Sequence, residues 1–264
     1  MNEPLHVERR GAAVWLTLNR PAHGNTIDAA LARALLGAVE ECHQDHACRC
    51  VVIRGEGRLF CGGGDVTTFA AAGDTAVAID SITGPLHSAI ERLMALDKPI
   101  VTLVNGAAAG AGLGLAILGD IVLAARSASF TSAYTALGVT PDGGTSWFLP
   151  RLVGLRRAQE IVLTNRRISA EEAERIGLVM RVVDDDVLLE EGKAVSEAMA
   201  SSAIGALAQA RRLLSDGFGR TLHDHLEVEA RAIAANAAGP EGAEGIAAFL
   251  GRRAPEFPPI SQLL

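Results

Sequence analysis

Between Lys98 and Asp120 the chain reads KPIVTLVNGAAAGAGLGLAILGD, and few folds accommodate such a run. Ile100 to Val104 is apolar and partly β-branched, bounded by Pro99 and by Asn105-Gly106, which predicts a buried strand ending in a turn. Gly110, Ala111, Gly112 and Gly114 follow, and then Leu115 to Leu118, so a strand feeds a glycine-lined turn that opens an apolar helix. The first N–H groups of such a helix have no intrahelical acceptor, and without side chains in the way a ligand oxygen can approach them. Three other readings compete. The run is nearly long enough to cross a bilayer and carries G-x-x-x-G spacings, but Thr102, the Asn-Gly turn and the glycine density disfavour that. A dinucleotide fingerprint would need a glycine where Leu115 stands and an acid near Ser129. The glycines can also serve close helix packing alone.

Composition narrows the class. With 264 residues and 49% hydrophobic content, the chain can bury one large core, or one core with a helical appendage. A net charge of −7 disfavours general binding to nucleic acid or to anionic membranes. The opening MNEPLHVERR lacks the apolar run of a secretory leader, so cytoplasm is the expected compartment. Cys42, Cys48, Cys50 and Cys61 do not form a disulfide framework in a chain of this length. The tract CHQDHACRC lacks C-x-x-C spacing and Cys50 begins a strand, so no metal site is expected there or at His223-Asp224-His225.

Alternation at Val14, Leu16 and Leu18 predicts a strand. Ile27, Leu31, Leu35, Val39 and Cys42 form the stripe of a helix capped by Asn25 or Thr26 with Asp28 in its first turn. Cys50 to Ile53 is a short buried strand, followed by a loop containing Gly62-Gly63-Gly64-Asp65. A helix is expected over Thr83 to Leu96, a strand over Ile121 to Ala124, and a surface segment from Ser129 to Tyr134. Pro141-Asp142-Gly143-Gly144 is a turn, a helix covers about Arg156 to Leu163, and Ser169 to Glu172 is a capping box closed by Gly177. Leu178 to Val183 reads as a strand, and from Val187 the pattern is helical with breaks near Ser201, Gly217 to Gly219 and Gly239-Pro240. Strand–helix alternation followed by helices predicts an α/β core over 1–200 and a helical C-terminal region over 201–264 that covers the core or a neighbouring subunit.

LTLNRP (Leu16 to Pro21), RLFCGGGDV (Arg58 to Val66), KPIVTLVNGAAAGAGLGLAILGDIVLA (Lys98 to Ala124), LGVTPDGGTSWFLPRLVG (Leu137 to Gly154) and EGIAAFLGRRAPEF (Glu244 to Phe257) occur in one order. Together they resemble the enoyl-CoA hydratase/isomerase (crotonase) family over nearly the whole chain. The resemblance implies a spiral of ββα units with C-terminal helices used in assembly, commonly as a homo-trimer or dimer of trimers. It implies an acyl-coenzyme A thioester as substrate, with coenzyme A as part of that substrate, no further cofactor, and no metal.

Carried over residue by residue, the resemblance makes Gly64 and Ala111 the N–H donors that hold the thioester oxygen as it becomes an enolate. Gly62, Gly63 and Gly110 cradle the same group, and Asp65 is expected to bond its own loop. Hydratases of the family hold a water between two glutamates, and those positions are here Gly114 and Tyr134. Neither supplies a carboxylate, so two-glutamate hydration is not expected, and Tyr134 is left to donate a hydrogen bond or shape the acyl pocket. Asp142 is the carboxylate in a family-relevant place, and isomerases of the family that act on dienoyl thioesters or on the phenylacetyl-CoA epoxide carry a working aspartate at this turn. One carboxylate suits isomerisation, because it can take a proton from one carbon and return it two carbons along. The alternative is that Asp142 only forms the turn. His23, where relatives often have lysine, and Arg20, with Arg58 and Arg252 or Arg253, are the basic candidates for the coenzyme A phosphates. Thioester hydrolysis or decarboxylation on the oxyanion donors alone, and a silent acyl-CoA-binding role, stand as alternative functions.

Overall fold

The computed structural model describes residues 3–258; Met1, Asn2 and residues 259–264 of the expected C-terminal region lie outside them. In chain order the elements are β1 (Leu5–Arg10), β2 (Ala13–Leu18), α1 (Ala29–Gln44), β3 (Cys50–Gly55), β4 (Leu59–Cys61), α2 (Val66–Ala71), α3 (Thr75–Ala95), β5 (Ile100–Val104), β6 (Ala107–Ala109), α4 (Ala111–Ile117), β7 (Ile121–Ala125) and β8 (Ser129–Thr131). Then come α5 (Thr145–Val153), α6 (Leu155–Thr164), β9 (Ile168–Ser169), α7 (Ala170–Arg175), β10 (Arg181–Val183), α8 (Leu188–Ala200), α9 (Ile204–Asp216), α10 (Leu222–Ala238) and α11 (Pro240–Leu250).

The strands form a six-stranded sheet, ordered β1-β2-β3-β5-β7-β10, and a four-stranded sheet, ordered β4-β6-β8-β9. After the β1–β2 hairpin the larger sheet is parallel, with Val52 opposite Val101 and Thr102 opposite Val122. Its inner strands are predominantly apolar, with Thr17, Arg54 and Thr102 as exceptions, because both faces are covered. Successive strand pairs, β3 with β4, β5 with β6, and β7 with β8, place one member in each sheet, and this repetition makes the spiral. On one face, Gly192 lets α8 approach β5 closely: a Cβ there would lie 2.4 Å from Leu103 Cδ1.

Several elements differ from the sequence reading, each for a local reason. Asp28, and not Asn25 or Thr26, caps α1, its Oδ1 accepting Leu31 N–H at 2.8 Å. Asn25 instead sits buried at φ +54°, where its amide donates to the Glu56 and Leu59 carbonyls at 2.9 and 2.8 Å and ties the first crossover to β4. Helix α3 begins at Thr75 and not at the expected Thr83, is capped by Asp74, and runs through Pro85. Ser129 to Tyr134 is not a surface segment: Ser129, Phe130, Ser132 and Tyr134 are all buried, because β8 lies in the second sheet. Helix α5, unforeseen because Pro150 falls inside it, follows the Gly143-Gly144 turn directly. Of the capping box expected at Ser169, the N-cap half is present, its hydroxyl accepting Glu172 N–H at 3.2 Å, while the Glu172 carboxylate pairs with Arg166 and not with the Ser169 N–H.

Candidate active site

Two glycine turns meet with no side chain between them. The first, Gly62 to Gly64, is pinned against the turn at Gly24-Asn25 and the single bridge residue Ile27: Gly62 N–H donates to Gly24 O at 2.9 Å, Ile27 N–H to Gly63 O at 2.7 Å, and Asp65 N–H to Ile27 O at 2.9 Å. The second lies at the start of α4, where Gly110 N–H donates to Thr131 O at 3.2 Å. A Cβ on Gly63 would lie 2.8 Å from Ala109 O, and one on Gly110 would lie 3.5 Å from Gly63 Cα. A side chain at Gly63 would force the loops apart, whereas Gly110 is held to glycine by its φ of +54°. Among the described residues, neither the Gly64 nor the Ala111 N–H donates to a protein acceptor, so both are available to an oxygen that gains negative charge.

The Pro141 to Gly144 turn closes over this point. Gly143, buried and at φ +55°, packs on Ala111: a Cβ at Gly143 would lie 3.1 Å from Ala111 Cβ. Its carbonyl fills the space beside Gly114, since a Cβ there would be 2.0 Å from Gly143 O. The position that would carry one hydratase glutamate therefore has no room for any side chain. At the other position Tyr134 is buried, and its phenol donates to Asp142 Oδ1 at 2.6 Å and to Asp142 O at 3.1 Å. Burial, together with the nearby Asp142 charge, pushes the Tyr134 pKa well above the usual phenol range, so the phenol remains a donor and holds the carboxylate as acceptor. From α3, His87 reaches the same turn: Gly143 N–H donates to its Nε2 at 3.3 Å. Sequence reasoning missed His87. It is an exposed residue between the buried Leu86 and the half-buried Ser88, and no local pattern tells that the α3 face carrying it meets a turn so much later in the chain.

Asp65 does brace its loop, but through side chains: Thr67 Oγ1 donates to it at 2.5 Å, and Arg20 and Thr26 Oγ1 reach it at 3.2 and 3.4 Å. The Thr67 hydroxyl and then the Arg20 charge hold the Asp65 carboxyl below the ordinary carboxylate range. Arg20 is correspondingly committed. Its guanidinium pairs with Asp28 at 3.0 Å and Asp65 at 3.2 Å and donates to Thr26 O, so it ties the glycine loop to the start of α1 and does not stand free for a phosphate. Arg253 is likewise paired, with Glu244 at 2.6 and 2.7 Å. His23 and Arg58 are exposed. The four cysteines are buried and unpaired, and among the described residues no cluster of His, Cys, Asp and Glu has a metal-binding arrangement. No helix among them is long and apolar enough to cross a membrane.

The comparisons agree with this geometry. The sequence profile of the enoyl-CoA hydratase/isomerase family matches residues 8–259. The chain is 35% identical to the 1,2-epoxyphenylacetyl-CoA isomerase of Escherichia coli K12 over 257 residues, 96% of each protein. It is also 35% identical to the 2,3-dehydroadipyl-CoA hydratase of the same organism over 253 residues, 96% of this chain and 98% of the relative. An enoyl-CoA hydratase from Polaromonas sp. JS666 superposes with a TM-score of 0.91 at 33% identity, over 96% of this chain and 99% of the other. This chain belongs to the enoyl-CoA hydratase/isomerase family of acyl-CoA enzymes. Relatives named as isomerase and as hydratase are equally similar to it, so the choice between those reactions rests on the residues at its own site.

Proposed function

We propose that the protein isomerises an unsaturated or ring-strained acyl-CoA, with Gly64 and Ala111 as oxyanion donors and Asp142 as the single proton shuttle. On a 3-enoyl thioester, the Asp142 carboxylate takes a proton from C2. The electron pair moves into the thioester, and the negative charge that gathers on its oxygen is held by the two N–H groups. Preorganised donors of this kind are worth about 3–4 kcal/mol each. The Asp142 carboxylic acid then returns its proton to C4, leaving the double bond between C2 and C3 and the carboxylate regenerated. No water, redox partner or metal enters this balance, and coenzyme A enters as part of the substrate.

The observation that carries this reading is the filled space at Gly114 together with the Tyr134–Asp142 hydrogen bond. A hydratase of the two-glutamate kind needs carboxylates at both positions, whereas here one is occupied by backbone and the other by a phenol that serves the turn aspartate. The isomerase named for an epoxide of phenylacetyl-CoA supports including ring substrates. Exposed His23, Arg58 and Arg252 are the groups we assign to the coenzyme A phosphates, with Arg20 acting through the loop it braces. Leu226, Ile233 and Phe249 on α10 and α11 are exposed, and α10 has no buried residue among those described, which supports assembly as a homo-trimer or dimer of trimers. The test is incubation with a 3-enoyl-CoA. Conversion to the 2-enoyl isomer at unchanged mass, lost in Asp142→Asn, supports the proposal; a hydrated or hydrolysed product, or an active Asp142→Asn, refutes it.

A further inference from the structure

We infer that His87 is a positioning residue that sets the orientation of the Asp142–Gly143 peptide, and through it the aim of the Asp142 carboxylate. This peptide is held on both sides. Its carbonyl accepts the Tyr134 phenol at 3.1 Å and Thr145 N–H at 3.0 Å, and its N–H donates to His87 Nε2 at 3.3 Å. Gly143 adopts φ +55°, a conformation reached from the ordinary one by rotating this peptide unit, so the unit has an alternative orientation close at hand. In that alternative the carbonyl leaves Tyr134 and Thr145 and the N–H leaves His87. The Asp142 Cα would stay in place, but the Tyr134 phenol, shared between this carbonyl and Asp142 Oδ1, would lose one of its two anchors, and the carboxylate that it holds would lose its aim. Gly143 is buried, and an N–H there without an acceptor would be costly. His87 is the group that supplies the acceptor.

The hydrogen bond also selects a tautomer. A backbone N–H can only donate, so Nε2 must be the bare nitrogen, and the neutral ring carries its proton on Nδ1. A histidine that merely fills space would be under no such constraint. The kinetic part of this inference rests on the isomerase reading, whereas the tautomer does not, and the two can therefore fail separately.

The test combines nitrogen-resolved NMR of the His87 ring, in mildly alkaline buffer, with the kinetics of two variants on the 3-enoyl-CoA substrate. Nδ1–H with a bare Nε2 is expected. His87→Leu, which keeps bulk but removes the acceptor, should lower kcat roughly tenfold while leaving KM within about twofold, in line with an unsatisfied buried N–H. His87→Gln, whose Oε1 can reach about as far as Nε2, should recover most of that loss. A proton on Nε2, a His87→Leu variant with wild-type kcat, or a His87→Gln variant as impaired as His87→Leu would each overturn the assignment. Should the wild-type protein leave the 3-enoyl-CoA unchanged, the isomerase reading fails and the tautomer alone decides the role of His87.

Discussion

Replacing Gly114 by alanine adds one methyl group where the Gly143 carbonyl already stands. The new Cβ would lie 2.0 Å from that oxygen and 3.0 Å from its carbon. Both are backbone atoms and cannot swing aside as a side-chain tip can. Contact becomes tolerable only near 3.0 Å, so the turn must withdraw by about 1 Å, and a shift of that size at a reacting group costs on the order of 10²-fold in rate. That is about 2.7 kcal/mol of barrier. The crowding itself should cost about 1–3 kcal/mol of stability, lowering Tm by roughly 2–4 °C for each kcal/mol. Steady-state kinetics of Gly114→Ala on the 3-enoyl thioester, with a thermal melt alongside, reads both quantities. The expected variant is folded, slightly less stable, and slow in kcat. A variant with wild-type kcat would show that the Gly143 carbonyl does not fix Asp142, and the argument against a glutamate at this position would fall with it.

The other expectations concern the groups around this contact. Tyr134→Phe removes the donor to Asp142 Oδ1 and should lower kcat by about 10- to 100-fold, the worth of a hydrogen bond to a charged group, with the fold retained by circular dichroism; an unaffected kcat would separate Tyr134 from the reaction. Asp65→Asn should destabilise the protein at neutral pH in urea titrations. Because the folded Asp65 carboxyl is held below its ordinary value near 3.8, its contribution is complete above that value and disappears only as pH falls through the lower folded one. The wild-type advantage should therefore persist through mild acid and vanish only in strong acid; a loss already near neutrality would refute it. Ile233→Glu, on the exposed face of α10, should yield smaller particles in sedimentation velocity, and an unchanged particle would place the subunit contact elsewhere.

Much of the fold was legible because it is written in local patterns. The apolar runs at Cys50 to Ile53, Ile100 to Val104 and Ile121 to Ala124 are strands of a sheet covered on both faces, and their short length, β-branched residues and flanking turns mark such runs locally. The Ser169 N-cap and Pro240 at the start of α11 are similarly local. What escaped depended on distant partners. Asn25 resembles a helix cap until Glu56 and Leu59 claim its side chain, which leaves capping to Asp28. Ser129 to Tyr134 looks like surface because its serines and threonine are polar, yet Ser129 in β8 and Ser132 just beyond it are buried and Thr131 is half-buried. At the site, the glycines and the turn aspartate stand out in the sequence, as does the lack of glutamates at Gly114 and Tyr134. The reason glutamate is absent at Gly114 does not: it is the Gly143 carbonyl, brought there by the turn. His87 was silent for the same reason.

The most direct test of a single-carboxylate shuttle is where deuterium goes. A 3-enoyl-CoA incubated with the protein in deuterated water and followed by proton NMR should give the 2-enoyl product. Where the Asp142 carboxylic acid exchanges its proton with solvent before returning it, deuterium enters C4 and, by the reverse step, C2, and neither product nor exchange should appear with Asp142→Asn. Product formation or exchange at C2 that survives in Asp142→Asn would contradict the account, because another group would then be removing the proton.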